Sequence, residues 1–182
     1  MPPGFATKEL SSQSPRPFRH SPFSSFSPLL GNLISSSRLA HAPVGVAVFE
    51  DVGEMLDAYV RRLERLNGVI LKCRATVDNA DEAIRIFRRS RPSIVITDLS
   101  LGEEANTDGF TILRFIKKES PRTAVALATL HSAGSTTDIE AEIRKQPFDA
   151  VFHKTDFNGI ESFIALKAWE LRRAPIECIV GR

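Results

Sequence analysis

The chain has 182 residues, 42% of them hydrophobic and 25% charged, with a formal net charge of only +2. That suits one soluble globular domain with a tail and leaves little room for a second full domain. Much of the positive excess, Lys8, Arg16, Arg19 and Arg38, falls in the first stretch, which gives no basic stripe for nucleic acid, and no run of about 18 apolar residues suggests a membrane span.

Residues 1–43 are rich in Ser and Pro, carry Phe5, Phe18, Phe23 and Phe26 without helical or strand period, and read as a disordered leader. Its Ser/Arg-rich, acid-poor composition weakly resembles an organelle transit peptide, but no secretory pattern is present. The two cysteines, Cys73 and Cys178, stand in no metal-ligand or CxxC spacing and fit reduced thiols in a cytoplasmic protein.

From Val44 onward strands and helices alternate. The apolar run Val44 to Phe49 predicts a strand covered on both faces. A helix over about 53–67 follows, with Leu56, Tyr59, Val60, Leu63 and Leu66 at helical spacing and Asn67-Gly68 as its stop. A second strand is expected over about 69–76, then a helix capped by Asp78 or Asn79, containing Ala83, Ile84 and Phe87 and closed by Arg91-Pro92. The third strand, Ser93 to Thr97, ends at Asp98, and a polar loop from Ser100 to Asp108 leads to a helix with Phe110, Ile112, Leu113 and Ile116. Pro121 separates this helix from the strand Ala124 to Ala128. A weaker helix carries Ile139 and Ile143, and the strand Ala150 to His153 precedes a helix with the stripe Ile160, Phe163, Ile164, Ala168 and Leu171. Residues 174–182 form a short tail.

Five such units predict an α/β fold with a doubly wound, five-stranded parallel sheet, order 2-1-3-4-5, and helices on both faces of a domain over 44–173. In these folds functional groups gather beyond the carboxyl ends of the strands. There stand Glu50 and Asp51 after the first strand, Asp98 after the third, Thr129 after the fourth and Lys154 after the fifth. Three converging carboxylates repel one another unless a cation holds them ionised, and Mg²⁺, which takes few protein carboxylates and completes its shell with phosphate oxygens, meets that need. In this arrangement Asp98 attacks a phosphoryl group as a carboxylate nucleophile, Lys154 neutralises its oxygens and Thr129 offers a hydroxyl to one of them.

The strand-end pair in Val46-Ala-Val-Phe-Glu-Asp51, Asp98 in Ile94-Val-Ile-Thr-Asp-Leu-Ser-Leu101, Asp108-Gly109, Thr129 and Lys154 together resemble a response-regulator receiver domain over about residues 44–172. The resemblance implies metal binding by Glu50, Asp51, Asp98 and the backbone carbonyl of Ser100. It also implies phosphorylation of Asp98 by a histidine kinase or histidine phosphotransfer protein, and conformational signalling through Thr129 and Lys154. No output domain follows in this sequence, so output is expected through contact with a downstream protein or phosphate relay, without direct nucleic-acid or membrane contact; a homodimer is compatible with this.

Several positions leave the family pattern. The loop after Asp98 is longer, Gly102 stands where proline is usual, Leu130 replaces a small residue after Thr129, Val151 replaces an aromatic three residues before Lys154, and Thr155 replaces a proline, so a trans peptide is expected there. These departures sustain a second reading, a pseudo-receiver adaptor that binds a partner without phosphorylation. An aspartate-nucleophile phosphatase, by contrast, needs an acid two residues after the nucleophile, where this chain has Ser100. No enzymatic turnover is therefore expected. His131 and His153 read as solvent-facing, and Arg85, Arg88, Arg89 and Arg91 as a solvated helix face.

Overall fold

An unbroken apolar strand is stable only between two layers of cover, and all six residues of β1 (Val44–Phe49) are buried. The computed structural model describes residues 42–102, 107–130 and 138–173, so residues 1–41 of the leader, the 174–182 tail, Cys178 and His131 lie outside them. Among the described residues the other strands are β2 (Val69–Leu71), β3 (Ile94–Thr97), β4 (Ala124–Thr129) and β5 (Ala150–His153). The helices are α1 (Gly53–Leu63), α2 (Ala80–Ser90), α3 (Asp108–Glu119), α4 (Asp138–Lys145) and α5 (Phe157–Arg173). All strand pairs are parallel, in the order β2-β1-β3-β4-β5, as the alternation predicts.

The two-residue period of the strands divides the core. Val46, Val48, Ile94, Ile96, Ala126 and Phe152 face one side, where Leu56, Tyr59 and Leu63 of α1 and Ile160, Phe163 and Ile164 of α5 cover them. Ala47, Phe49, Val95 and Val125 face the other, under Ala83 and Phe87 of α2 and Ile112, Leu113 and Ile116 of α3. Leu127, Phe110 and Ile143 of α4 close the same layer towards β5. The cap of α2 resolves to Asn79, whose side chain accepts the Glu82 N–H at 2.9 Å.

Three expectations are corrected. The first helix stops at Leu63, because Arg65 and Leu66 donate to Arg62 and Leu63 in tighter turns before Gly68 turns left-handed (φ 74°). The second strand has only three residues: Lys72 makes one more hydrogen bond to Val46, and Cys73 then turns back onto the Ala75 carbonyl. Leu171, placed in the buried stripe of the last helix, is 37% exposed near the helix end.

Candidate functional site

The register brings four strand ends together: Phe49 lies beside Thr97, Thr97 beside Leu127, and Thr129 beside His153. The sheet bonding runs one residue past the strands, with the Asp98 N–H donating to the Phe49 carbonyl and the Lys154 N–H to the Thr129 carbonyl, both at 3.0 Å. Asp98 and Lys154 are thereby fixed at the rim by backbone, as is Glu50, whose carbonyl accepts the Val77 N–H at 3.0 Å, before any side-chain contact is made.

Their side chains then form a buried ionic group. Lys154 Nζ lies 2.6 Å from Asp98 Oδ2 and 2.8 Å from Glu50 Oε1. Asp98 Oδ1 accepts the Leu99 N–H at 2.6 Å, and Glu50 Oε1 also accepts the Val52 N–H at 3.3 Å. Asp51 is half-buried, and its Oδ2 accepts the Gly102 N–H at 2.9 Å. One oxygen from each of Glu50, Asp51 and Asp98 falls within 4.8 Å of the others.

Charge in this group is unbalanced. Burial pushes the Asp98 carboxyl above the usual carboxylate range, opposed by Lys154 and the Leu99 N–H and reinforced by Asp51. Burial likewise raises the Glu50 carboxyl, against Lys154 and the Val52 N–H and with Asp98. For Lys154, burial alone lowers the ammonium pKa, but Asp98 and Glu50 outweigh it and hold the group above its usual value. One ammonium thus serves two buried carboxylates, with the Asp51 carboxylate close to both.

The surrounding elements fix this geometry. Asp108-Gly109 opens α3, and a Cβ on Gly109 would lie 2.5 Å from the Asp98 carbonyl oxygen, so only glycine lets the helix start this close to the end of β3. The Gly109 N–H donates to the Leu99 carbonyl at 2.9 Å. Burial raises the Asp108 carboxyl, while the N–H groups of Ala80 and Leu101 work against it. Ser100 is half-buried between Leu99 and Leu101, which are buried in separate clusters. Thr129, the last residue of β4, is buried beside Lys154.

Sequence reasoning placed Tyr59 only in a hydrophobic stripe. Its hydroxyl donates to the Lys154 carbonyl at 3.1 Å, and burial together with Glu50 and Asp98 holds the phenol protonated. The signal was available, since a buried tyrosine needs a partner for its hydroxyl. Leu130 is 62% exposed. Val151 is 48% exposed, while Phe152 packs edge-on against Phe163, 5.8 Å between ring centres. The neighbouring aromatic is therefore core and does not take the place of an inward-swinging ring. No cis peptide occurs among the described residues, and Lys154-Thr155 is trans as expected. His153 is exposed and its Nδ1 lies 2.8 Å from Thr155 Oγ1.

Three converging carboxylate oxygens are a hard-cation donor set, and Lys154 contacts only two of the three carboxylates. The residues present therefore fit a divalent ion such as Mg²⁺. Among the described residues no other cluster of three such groups occurs, and no helix is long and apolar enough to cross a membrane.

A family model described as the response regulator receiver domain matches residues 46–164. No curated protein matches the sequence. Among solved structures, the chain is similar to a DNA-binding response regulator of the LuxR family from Staphylococcus aureus, at 18% identity and a TM-score of 0.56 over 69% of this chain and 98% of that one. It is similar to the non-phosphorylated receiver domain of the stress response regulator RcsB from Escherichia coli, at 19% identity and a TM-score of 0.56 over 71% and 94%. A two-component response regulator of the LuxR family from Aurantimonas sp. SI85-9A1 aligns at 20% identity, with a TM-score of 0.55 over 70% and 87%.

Proposed function

The chain belongs to the response regulator receiver domain family, and from that premise we propose that it is a phosphoacceptor of a two-component phosphorelay, with Asp98 as the acceptor. The observation that carries this reading is the buried contact of Lys154 with Asp98 at 2.6 Å, inside a cluster that also brings Glu50 and Asp51 within reach of one cation.

Asp98 attacks the phosphorus of a phosphohistidine on a histidine kinase or histidine phosphotransfer protein. An O–P bond forms as the N–P bond breaks, and the electron pair of that bond stays on the donor imidazole. Lys154 holds the attacked carboxylate in place and carries the positive charge that the new phosphoryl oxygens need. Thr129, at the neighbouring strand end, offers its hydroxyl to one of those oxygens. Glu50, Asp51, Asp98 and the Ser100 carbonyl would hold Mg²⁺, which when bound offsets the charge of the carboxylates and of the incoming phosphoryl group. The signal leaves by contact with a downstream protein, because a phosphoryl group on Asp98 draws Lys154 from Glu50 and biases the surface around Thr129 and β5. This chemistry takes place in the cytoplasm and involves no turnover of a separate substrate.

The position of the phosphoryl group is tested by treating the protein with acetyl phosphate and Mg²⁺, reducing with borohydride and mapping the peptides. Borohydride converts an aspartyl phosphate to homoserine, which is expected at residue 98. Conversion at another position contradicts the assignment, and conversion at none contradicts it and favours the pseudo-receiver adaptor, which binds its partner without phosphorylation.

A further inference from the structure

Lys154 reaches Glu50 and Asp98, but the polar contact of Asp51 comes from elsewhere: the Gly102 N–H, 2.9 Å from Asp51 Oδ2 and 51 residues away in the chain. We propose that Gly102 is a positioning residue of the metal site, its backbone N–H setting the Asp51 carboxylate that receives the cation. This rests on the proposed function, since it assigns a role towards the same Mg²⁺.

Two features aim that amide. Gly102 has a left-handed backbone, φ 77°, and a Cβ at this position would lie 2.6 Å from the Asp78 carbonyl oxygen. An L side chain is therefore strained twice, once by its own backbone and once by the segment leading into α2, and relief of either turns the N–H away from Asp51. On the other side Leu101 is 1% exposed, packed in the cluster beneath α2 and α3, so the peptide between Leu101 and Gly102 is tied to the core.

The contact suits a ligand carboxylate. An ionised carboxylate has about four lone-pair sites, and one N–H occupies a single one, leaving the rest for a cation. The amide also orients the carboxylate and adds a positive dipole where three negative groups meet. Groups that hold metal ligands in this way typically account for a 10- to 100-fold share of affinity. Proline, which the family resemblance implies as usual at this position, has no N–H to give.

The test is Mg²⁺ titration calorimetry on the full chain, comparing the unmodified protein with Gly102→Ala, Gly102→Asn and Gly68→Ala, each checked for folding by circular dichroism. Gly68 is the control: it is also left-handed (φ 74°), but it sits beneath Arg172 at the opposite end of the sheet. Both Gly102 variants are expected to bind Mg²⁺ about 10- to 100-fold more weakly, while Gly68→Ala loses thermal stability and keeps its affinity. The asparagine variant tolerates the left-handed backbone better and carries the test if the alanine variant does not fold. In the unmodified protein the Gly102 amide resonance is expected to shift on saturation with Mg²⁺. Folded Gly102 variants with unchanged affinity, an equal loss in Gly68→Ala, or a Gly102 resonance that does not move each overturn the proposal. If the unmodified protein binds no Mg²⁺, the metal site of the proposed function falls, and this inference with it.

Discussion

Lys154 carries a single positive charge between Asp98 at 2.6 Å and Glu50 at 2.8 Å, with little access to water. Removing one partner of a buried ionic group strands the others, at a cost of about 3–5 kcal/mol. Lys154→Met is expected to lose that much stability near neutral pH. The sign with pH follows from the shifts. The raised Lys154 pKa means that its contribution is fully present below its ordinary value of 10.5 and is lost only as pH rises through the folded value. Asp98 and Glu50 are raised from 3.8 and 4.5, so their ionisation weakens the fold as pH climbs from those values through the folded ones. Without Lys154 that penalty grows. Urea unfolding is therefore expected to show the deficit of Lys154→Met shrinking as pH falls into the carboxylate range, and a deficit independent of pH would contradict the ionic account.

At the scale of elements, the start of α3 is what brackets Asp98. Gly109→Ala places a methyl group 2.5 Å from the Asp98 carbonyl and 3.0 Å from Leu99 Cα, both backbone atoms that cannot swing aside. A loss of about 1–3 kcal/mol in urea unfolding, typical of overpacking, is expected, together with slower labelling of Asp98; a neutral effect on both would show that α3 does not bear on the site. The strand ends themselves were legible in the sequence. β1, β3 and β4 are buried along their whole length, so each appears as an apolar run that ends at a polar residue: Glu50 just beyond β1, Thr97 and then Asp98 at the end of β3, and Thr129 closing β4. β2 was less legible because it is an edge strand of three partly exposed residues, with no run to mark its end. The Gly102–Asp51 contact was not readable, and of the Tyr59–Lys154 contact only the need for some hydroxyl partner was. They join residues 51 and 95 positions apart, and such separations leave no local period.

Across the whole molecule, the ionic group joins strands whose two faces are covered by different helices: α1 and α5 on one side, α2, α3 and α4 on the other. Lys154 leaves β5 at the edge of the sheet, its N–H on the Thr129 carbonyl and its own carbonyl accepting from Tyr59 of α1. Lys154 is thus tied to β4, β5 and α1 together, the elements through which the proposed phosphorylation of Asp98 would reach a surface that another protein can read. The central claim is that Asp98 accepts a phosphoryl group with the help of a divalent ion. Its most direct test is intact mass after incubation with acetyl phosphate, with and without Mg²⁺, beside Asp98→Asn. One added phosphoryl group that requires Mg²⁺ and is absent from the variant is the predicted result; no adduct, or an adduct that survives Asp98→Asn, would contradict it.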